Sequence, residues 1–365
     1  MKTAFVKQLL DVHGPWSGVL WKDTDPRRLF EVWPGKGTFW EMTCLLRADW
    51  YIVPQQIVSD YTHDAVLKHP GRSELIPKYT SGVVSPAEIP FDDYDVVITF
   101  DPILNVSRES QTLFAYFVVE HWDRLYGQSL RRPLAGYDLF LAHMGDSEER
   151  LRSLPQAVSF PYLRDPGTVR SIFSAHKEEV AWVDWRTLAT LGMVQEFEPW
   201  NDASEAAATR LQEVLGIPIR YKGGFNRNPY GVTDPPLWGD AALYLEAIAS
   251  CRYYIAVGGM AGAGQALGDA ASLGCLCIGQ QDKPYHRMMC HPSCLCADLA
   301  EMPARLRSVA SSRDLQAEVL AWQNAALRKQ FAERPLALLR EALRLKRERQ
   351  VSPERVLAAE ADRAL

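Results

Sequence analysis

The sequence has no apolar run near the ~20 residues that a membrane-spanning helix needs. Its N-terminus, MKTAFVKQLLDVHGPW, lacks the roughly 7–15-residue apolar core and the small-residue cleavage site of a secretory leader. Positive charge is also scarce. The 40 Lys and Arg stand against 45 Asp and Glu, for a net charge of −5. No global positive field therefore draws the chain to nucleic acid, and nucleic acid is not an expected partner, with a local basic groove left open as the alternative. The 7 cysteines are odd in number and lack the spacing of a disulfide framework. Without a leader, that favours reduced thiols and a cytoplasmic protein. There is no repeat of fixed period and no low-complexity tract.

What is present is ordinary globular material. Of 365 residues, 47% are hydrophobic and 23% charged. That is enough for two domains at roughly 150 residues each, with a core that needs no disulfides. Strand-like segments bounded by turn signals alternate with helical stretches. In the first half they fall near Ala4–Gln8, Trp50–Val53, Val96–Phe100, Phe114–Glu120 and Leu139–His143. Runs such as DVVITF and FAYFVV suit strands buried on both faces of a parallel sheet.

The second half repeats the alternation. It has strands at Val180–Trp185, Pro218–Tyr221, Tyr253–Val257 and Cys275–Gly279, and helices around Ser204–Leu215 and Ala241–Cys251. Beyond about Leu299 only helical patterns remain. Pro155, Pro161, Pro166 and Gly167 mark a boundary between Ser153 and Glu179. Two α/β domains in series, followed by a helical C-terminal segment, are expected, with a cleft between the sheets as the natural ligand site.

The strongest local signal is RYYIAVGGMAGAGQALGDAASLGCLCIG, Arg252–Gly279. Gly258, Gly259, Gly262 and Gly264 fall between a strand and a helix. Such a loop lets backbone N–H groups approach an anion, and the helix N-terminus adds partial positive charge, so a phosphate or diphosphate is the ligand it suits. The alternative is a tight turn that needs glycine for packing alone. Gly262-x-Gly264-x-x-x-Gly268 also resembles a dinucleotide fingerprint. That motif belongs to the first βα turn of a sheet, whereas no convincing strand follows Gly279, so a dehydrogenase is disfavoured.

The same residues fit a late position in a sheet. Here Asp269-Ala270-Ala271-Ser272-Leu273-Gly274-Cys275-Leu276-Cys277-Ile278 resembles the C-terminal domain of GT-B glycosyltransferases, in which an acidic residue precedes an A-x-x-G-x-P-x-I-like run. The resemblance is good over roughly the last third of the chain and rests on α/β order alone in the first half. It implies an α/β fold with two Rossmann-like domains facing a central cleft, closed by C-terminal helices. The domains would span 1–165 (acceptor side), 166–330 (nucleotide-sugar binding) and 331–365 (helical).

The resemblance further implies that Asp269 accepts hydrogen bonds from the ribose hydroxyls of a nucleotide sugar, while the loop Gly258–Gln265 holds its diphosphate. Many retaining members carry a second acid eight residues earlier, where this chain has Ala261, which tilts the expectation toward an inverting enzyme. Metal-free members stabilise the leaving diphosphate with a Lys/Arg pair. Lys222 and Arg227, beside Gly223-Gly224, are the candidates here. A solvated basic loop is the plainer reading of the same residues.

An inverting transfer needs a base near the acceptor hydroxyl. Asp11 and His13 follow the first strand, and Glu120 and His121 follow the fourth. His286, after strand Cys275–Gly279, is a candidate to face the sugar. The triplets Asp23-Thr24-Asp25 and Asp93-Tyr94-Asp95 resemble metal-binding pairs, but both sit before or away from strand ends and are assigned structural roles.

Five cysteines between Cys275 and Cys296 lack the paired C-x-x-C spacing of structural zinc modules, and no metal is expected. Tryptophans at 16, 21, 33 and 40 suit either a sugar platform or the core. The basic amphipathic stretch Leu336–Arg349 either crosses back to the first domain or lies on an anionic membrane surface. The expected partners are thus a nucleotide-sugar donor and a glycan or other hydroxyl acceptor. A nucleotide-sugar epimerase and a non-catalytic nucleotide-sugar- or glycan-binding protein remain as alternatives.

Overall fold

The computed structural model describes residues 1–8, 45–53, 88–99, 110–118, 136–142, 157–159, 164–184, 202–221, 241–257 and 265–351. These residues build two parallel sheets. The first holds β1 (Thr3–Gln8), β2 (Asp49–Val53), β3 (Val96–Thr99), β4 (Leu113–Val118), β5 (Leu139–Ala142) and β6 (Ala157–Ser159), in the order β2-β1-β3-β4-β5-β6. Every neighbouring pair runs parallel. The apolar runs account for this. Val96, Val97, Ile98, Leu113, Phe114, Ala115, Tyr116 and Phe117 are all buried, as strands covered on both faces must be.

The second sheet holds β7 (Glu178–Val183), β8 (Ile219–Tyr221), β9 (Cys251–Ala256), β10 (Leu276–Gln280) and β11 (Leu295–Cys296), in the order β11-β10-β9-β7-β8. It too is parallel throughout. Its strands agree with the expected ones to within a residue or two. Two features of the sequence reading need correction. The proline-marked boundary segment contains both β6 and a helix, α1 (Pro166–Phe173). Pro166 is a start signal rather than a breaker there: Asp165 caps the helix by accepting from the Gly167 N–H at 3.1 Å, with proline at the first turn, where no N–H is needed. A strand also follows Gly279, because β11 pairs with β10 at Gly279 and Gln280.

The remaining helices are α2 (Asp202–Leu215), α3 (Ala241–Ser250), α4 (Gln265–Ser272), α5 (Pro284–Met289), α6 (Met302–Ser311) and α7 (Arg313–Arg328), then a π-helical turn at Lys329–Glu333 and α8 (Arg334–Val351). Glycines in the left-handed region close two of them, Gly216 at φ 72° after α2 and Gly274 at φ 77° after α4. The core of the second sheet is formed by Trp182, Tyr253, Tyr254, Ile255, Cys277 and Ile278 with the helices packed over them. From α7, Gln323 reaches the start of β10. Its side chain accepts from the Cys277 N–H at 3.0 Å and donates to the Cys275 carbonyl at 2.7 Å.

Helix α8 packs on β4 of the first sheet. Lys346, only 7% exposed, donates to the Thr112 carbonyl and to Asp138 Oδ2, both at 2.7 Å. Arg347 pairs with Asp95 at 2.5 Å. The structure thus commits these two cations to the first sheet, as the crossing-back role expected for this helix requires. No helix among the described residues is long and apolar enough to cross a membrane. Asp95 is also tied to the start of β1. The backbone N–H of Lys2 donates to it at 2.6 Å and, with Arg347, holds its carboxyl below the usual range against the opposing effect of burial.

Candidate functional site

In the second sheet the chain leaves β7 for β8 on one side, then returns to place β9 on the other. The carboxyl ends of β7 and β9 therefore flank a topological switch point, the place where open α/β sheets form a ligand crevice. The first sheet has the same switch between β1 and β3. Asp184 directly follows β7 and is 9% exposed. Its N–H donates to the Ile255 carbonyl at 3.1 Å, and its Oδ2 accepts from the Tyr254 hydroxyl at 3.1 Å. This carboxylate was missed in the sequence, where VAWVDW reads as one strand. A single acid interrupting an apolar run was the available signal.

Past β9 the glycine loop leads into α4, which carries Asp269. The helix forms over QALGDAAS because its small residues let it lie close against its neighbours. Ala270 and Ala271 are fully or almost fully buried, and Ser272 returns its hydroxyl to the Gly268 carbonyl at 2.7 Å. Asp269 is 2% exposed and forms an ion pair with Arg164, itself 6% exposed. Burial raises the Asp269 carboxyl to about 6, and the Arg164 guanidinium only partly offsets that rise. Arg164 is the second residue missed in the sequence, having been passed over in the proline-marked boundary segment.

Tyr285, from α5, lies within electrostatic reach of Asp269. Its hydroxyl is buried and makes no hydrogen bond among the described residues. Burial, reinforced by the negative charge of Asp269, pushes its pKa well above the usual value. The next residue, His286, sits at the end of β10. Its Nδ1 accepts from the Gln280 N–H at 2.9 Å, which assigns the ring proton to Nε2 in the neutral form. The ring packs so closely that a Cβ added at Gly279 would lie 2.9 Å from the His286 Cβ and from the Cys290 Sγ.

Cysteines 275, 277, 290, 294 and 296 are buried and free. Burial raises every one of these thiols, with Cys294 reaching about 12 and Cys296 about 11. They behave as small apolar core groups. Among the described residues, no group of His, Cys, Asp or Glu is arranged to hold a metal ion.

Of the candidates named from sequence, the structure places Asp269 and His286, and it places Gln265 at the start of α4. Asp11, His13, Glu120, His121, Lys222, Arg227, Gly258, Gly259, Gly262 and Gly264 lie outside the described residues. The chain segments bearing them leave the ends of β1, β4, β8 and β9.

No protein-family model and no curated protein matches the sequence. Solved structures do match. An alpha-glucosyltransferase in complex with UDP superposes with a TM-score of 0.50 at 10% identity, over 93% of this chain and 100% of the other. The DNA-modifying enzyme beta-glucosyltransferase gives 0.46 at 12% identity, over 94% and 99%. The T4 phage enzyme BGT in complex with UDP and Mn²⁺ gives 0.44 at 13% identity, over 94% and 99%. The expectation of a glycan acceptor with no nucleic-acid partner is corrected by this comparison, since a structure similar to this chain is a DNA-modifying enzyme. A net charge of −5 sums the whole chain and carries no information about a local groove. The resemblance to GT-B glycosyltransferases seen in the Asp269–Ile278 run thus extends to the fold, an α/β chain built on parallel sheets.

Proposed function

We propose that the chain is a glycosyltransferase that moves a sugar from a UDP-sugar to a hydroxyl acceptor, without a metal ion and with inversion at the sugar carbon. One observation carries this reading: a buried carboxylate, Asp269, on the helix that follows β9, whose carboxyl end flanks the switch point of a parallel sheet. A carboxylate there can pair with two vicinal ribose hydroxyls, and the loop before it can cradle a diphosphate.

In this reading residues 1–165 present the acceptor and residues 166–330 hold the donor, the two facing across a cleft, with 331–365 as the closing helical segment. Gly258, Gly259, Gly262, Gly264 and Gln265 surround the diphosphate. Lys222 and Arg227 neutralise its growing charge as the sugar departs, the task a metal performs in other transferases. Asp11 or His13 takes the acceptor proton, since they follow β1 at the switch point of the first sheet; Glu120 and His121, after β4, are the second choice. The acceptor oxygen then attacks the anomeric carbon as the UDP oxygen leaves. Ala261, where retaining relatives of this type carry a second acid, supports inversion. His286 faces the sugar.

The test is UDP release from UDP-glucose in EDTA, with and without DNA whose bases carry hydroxyl groups. The reading predicts release that depends on the acceptor and is unaffected by the chelator. Turnover of the nucleotide sugar without any acceptor would point to an epimerase instead. Binding with no turnover on any acceptor would point to a binding protein.

A further inference from the structure

Arg164 stands just before α1, between the last strand of the first sheet and the first strand of the second. Its side chain is buried, and Nη1 donates to Oδ2 of Asp269. A buried ion pair is a weak source of stability, because desolvation offsets most of the attraction and apolar side chains fill such a place as well. What a guanidinium supplies is direction, through a rigid planar fork that fixes the carboxylate it grips.

The chain just after Arg164 is held in place. Asp165, the next residue, caps α1 through Gly167 N–H at 3.1 Å and the Thr168 hydroxyl at 2.7 Å. Six residues beyond Arg164, Arg170 donates to the Ser272 carbonyl at 2.9 Å and to Asn324 at 2.6 Å. Helix α1 is thus docked on α4 at two points, Arg164 on Asp269 and Arg170 on Ser272. The buried Tyr285 hydroxyl, with no hydrogen bond among the described residues, lies near the same carboxylate.

We propose that Arg164 is the positioning residue of the donor nucleotide, clamping one oxygen of Asp269 so that the other accepts from the ribose hydroxyls. The proposal rests on the donor-site reading above and adds to it a residue outside the glycine loop. Arg164 acts through Asp269, and its contribution is selectivity for ribose.

Calorimetric titration of UDP and 2′-deoxy-UDP into the wild type, Arg164→Met and Arg164→Lys tests it. The wild type is expected to prefer UDP by roughly tenfold to a hundredfold, the worth of one hydrogen bond to a charged acceptor. Arg164→Met should lose that preference, and Arg164→Lys, which keeps the charge without the fork, should retain only part of it. A purely structural role would weaken both ligands equally and leave their ratio unchanged; that result overturns the proposal. If Arg164→Met does not fold, a wild-type ratio in Arg164→Lys overturns it just as well. A wild type that binds both ligands equally shows that Asp269 does not read ribose and also sinks the proposal. A wild type that binds neither removes the donor-site reading itself.

Discussion

Asp269 titrates in a direction opposite to that of most aspartates in ion pairs. Burial raises its carboxyl from 3.8 to about 6 despite Arg164. The folded protein therefore holds this proton more tightly than the unfolded chain does. The contribution of Asp269 to stability is then full below pH 4 and is lost as pH rises through 6, by about 3 kcal/mol at most. Denaturation midpoints of wild type and Asp269→Asn, compared from pH 4 to 7, should show the wild type losing ground to the variant as pH rises. The opposite slope would mean that Arg164 outweighs burial. Gly279 offers a simpler test at this scale. A methyl group there meets Cys290 and His286 at 2.9 Å, so Gly279→Ala should destabilise by about 1–3 kcal/mol. It should also disturb the His286 imidazole resonances in an NMR spectrum, because the Gln280 N–H that orients the ring must shift.

Among the elements, α8 is the most informative. Two of its cations that reach the first sheet differ in burial. Lys346 is 7% exposed and bonded to Thr112 and Asp138, whereas Arg347 is 52% exposed against Asp95. Lys346→Ala removes the cation from Asp138, which also accepts from the Phe114 N–H at 2.9 Å, and should lower stability by about 3 kcal/mol. Arg347→Ala removes a surface pair and should change it by less than about 1 kcal/mol. Equal effects in urea denaturation would contradict this account of the helix. The sequence showed the helix and its basic face but not where that face goes, because a lysine on an amphipathic helix looks the same whether it meets a phosphate headgroup or a half-buried aspartate 208 positions away. Strands were more legible. DVVITF and CLCIG are short apolar runs that only a buried parallel sheet accommodates, and β3 and β10 lie within a residue of where those runs place them. The strands β6 and β11 are three and two residues long, too short for any periodicity to register.

At the scale of the whole molecule, two parallel sheets each place their switch point beside their first strand, and both crevices open at strand carboxyl ends. The glycine-rich run and Asp269 suggest the proposed nucleotide site already in the sequence, because their residue types are constrained by backbone approach and by hydrogen bonding. Arg164, Asp184 and Tyr285 were not, because their partners Asp269 and Tyr254 are brought to them only by the tertiary fold. The acceptor side was misread for a related reason: net charge is a sum over the chain, whereas an acceptor is recognised by a local surface. The central claim is that the second sheet holds a nucleoside diphosphate at Asp269. The most direct measurement is a calorimetric titration of UDP into wild type and Asp269→Asn, both in EDTA. The account predicts saturable one-site binding to the wild type that persists in the chelator and weakens at least roughly tenfold in the variant. Binding of equal strength to both proteins, or no binding of any nucleoside diphosphate, would contradict it.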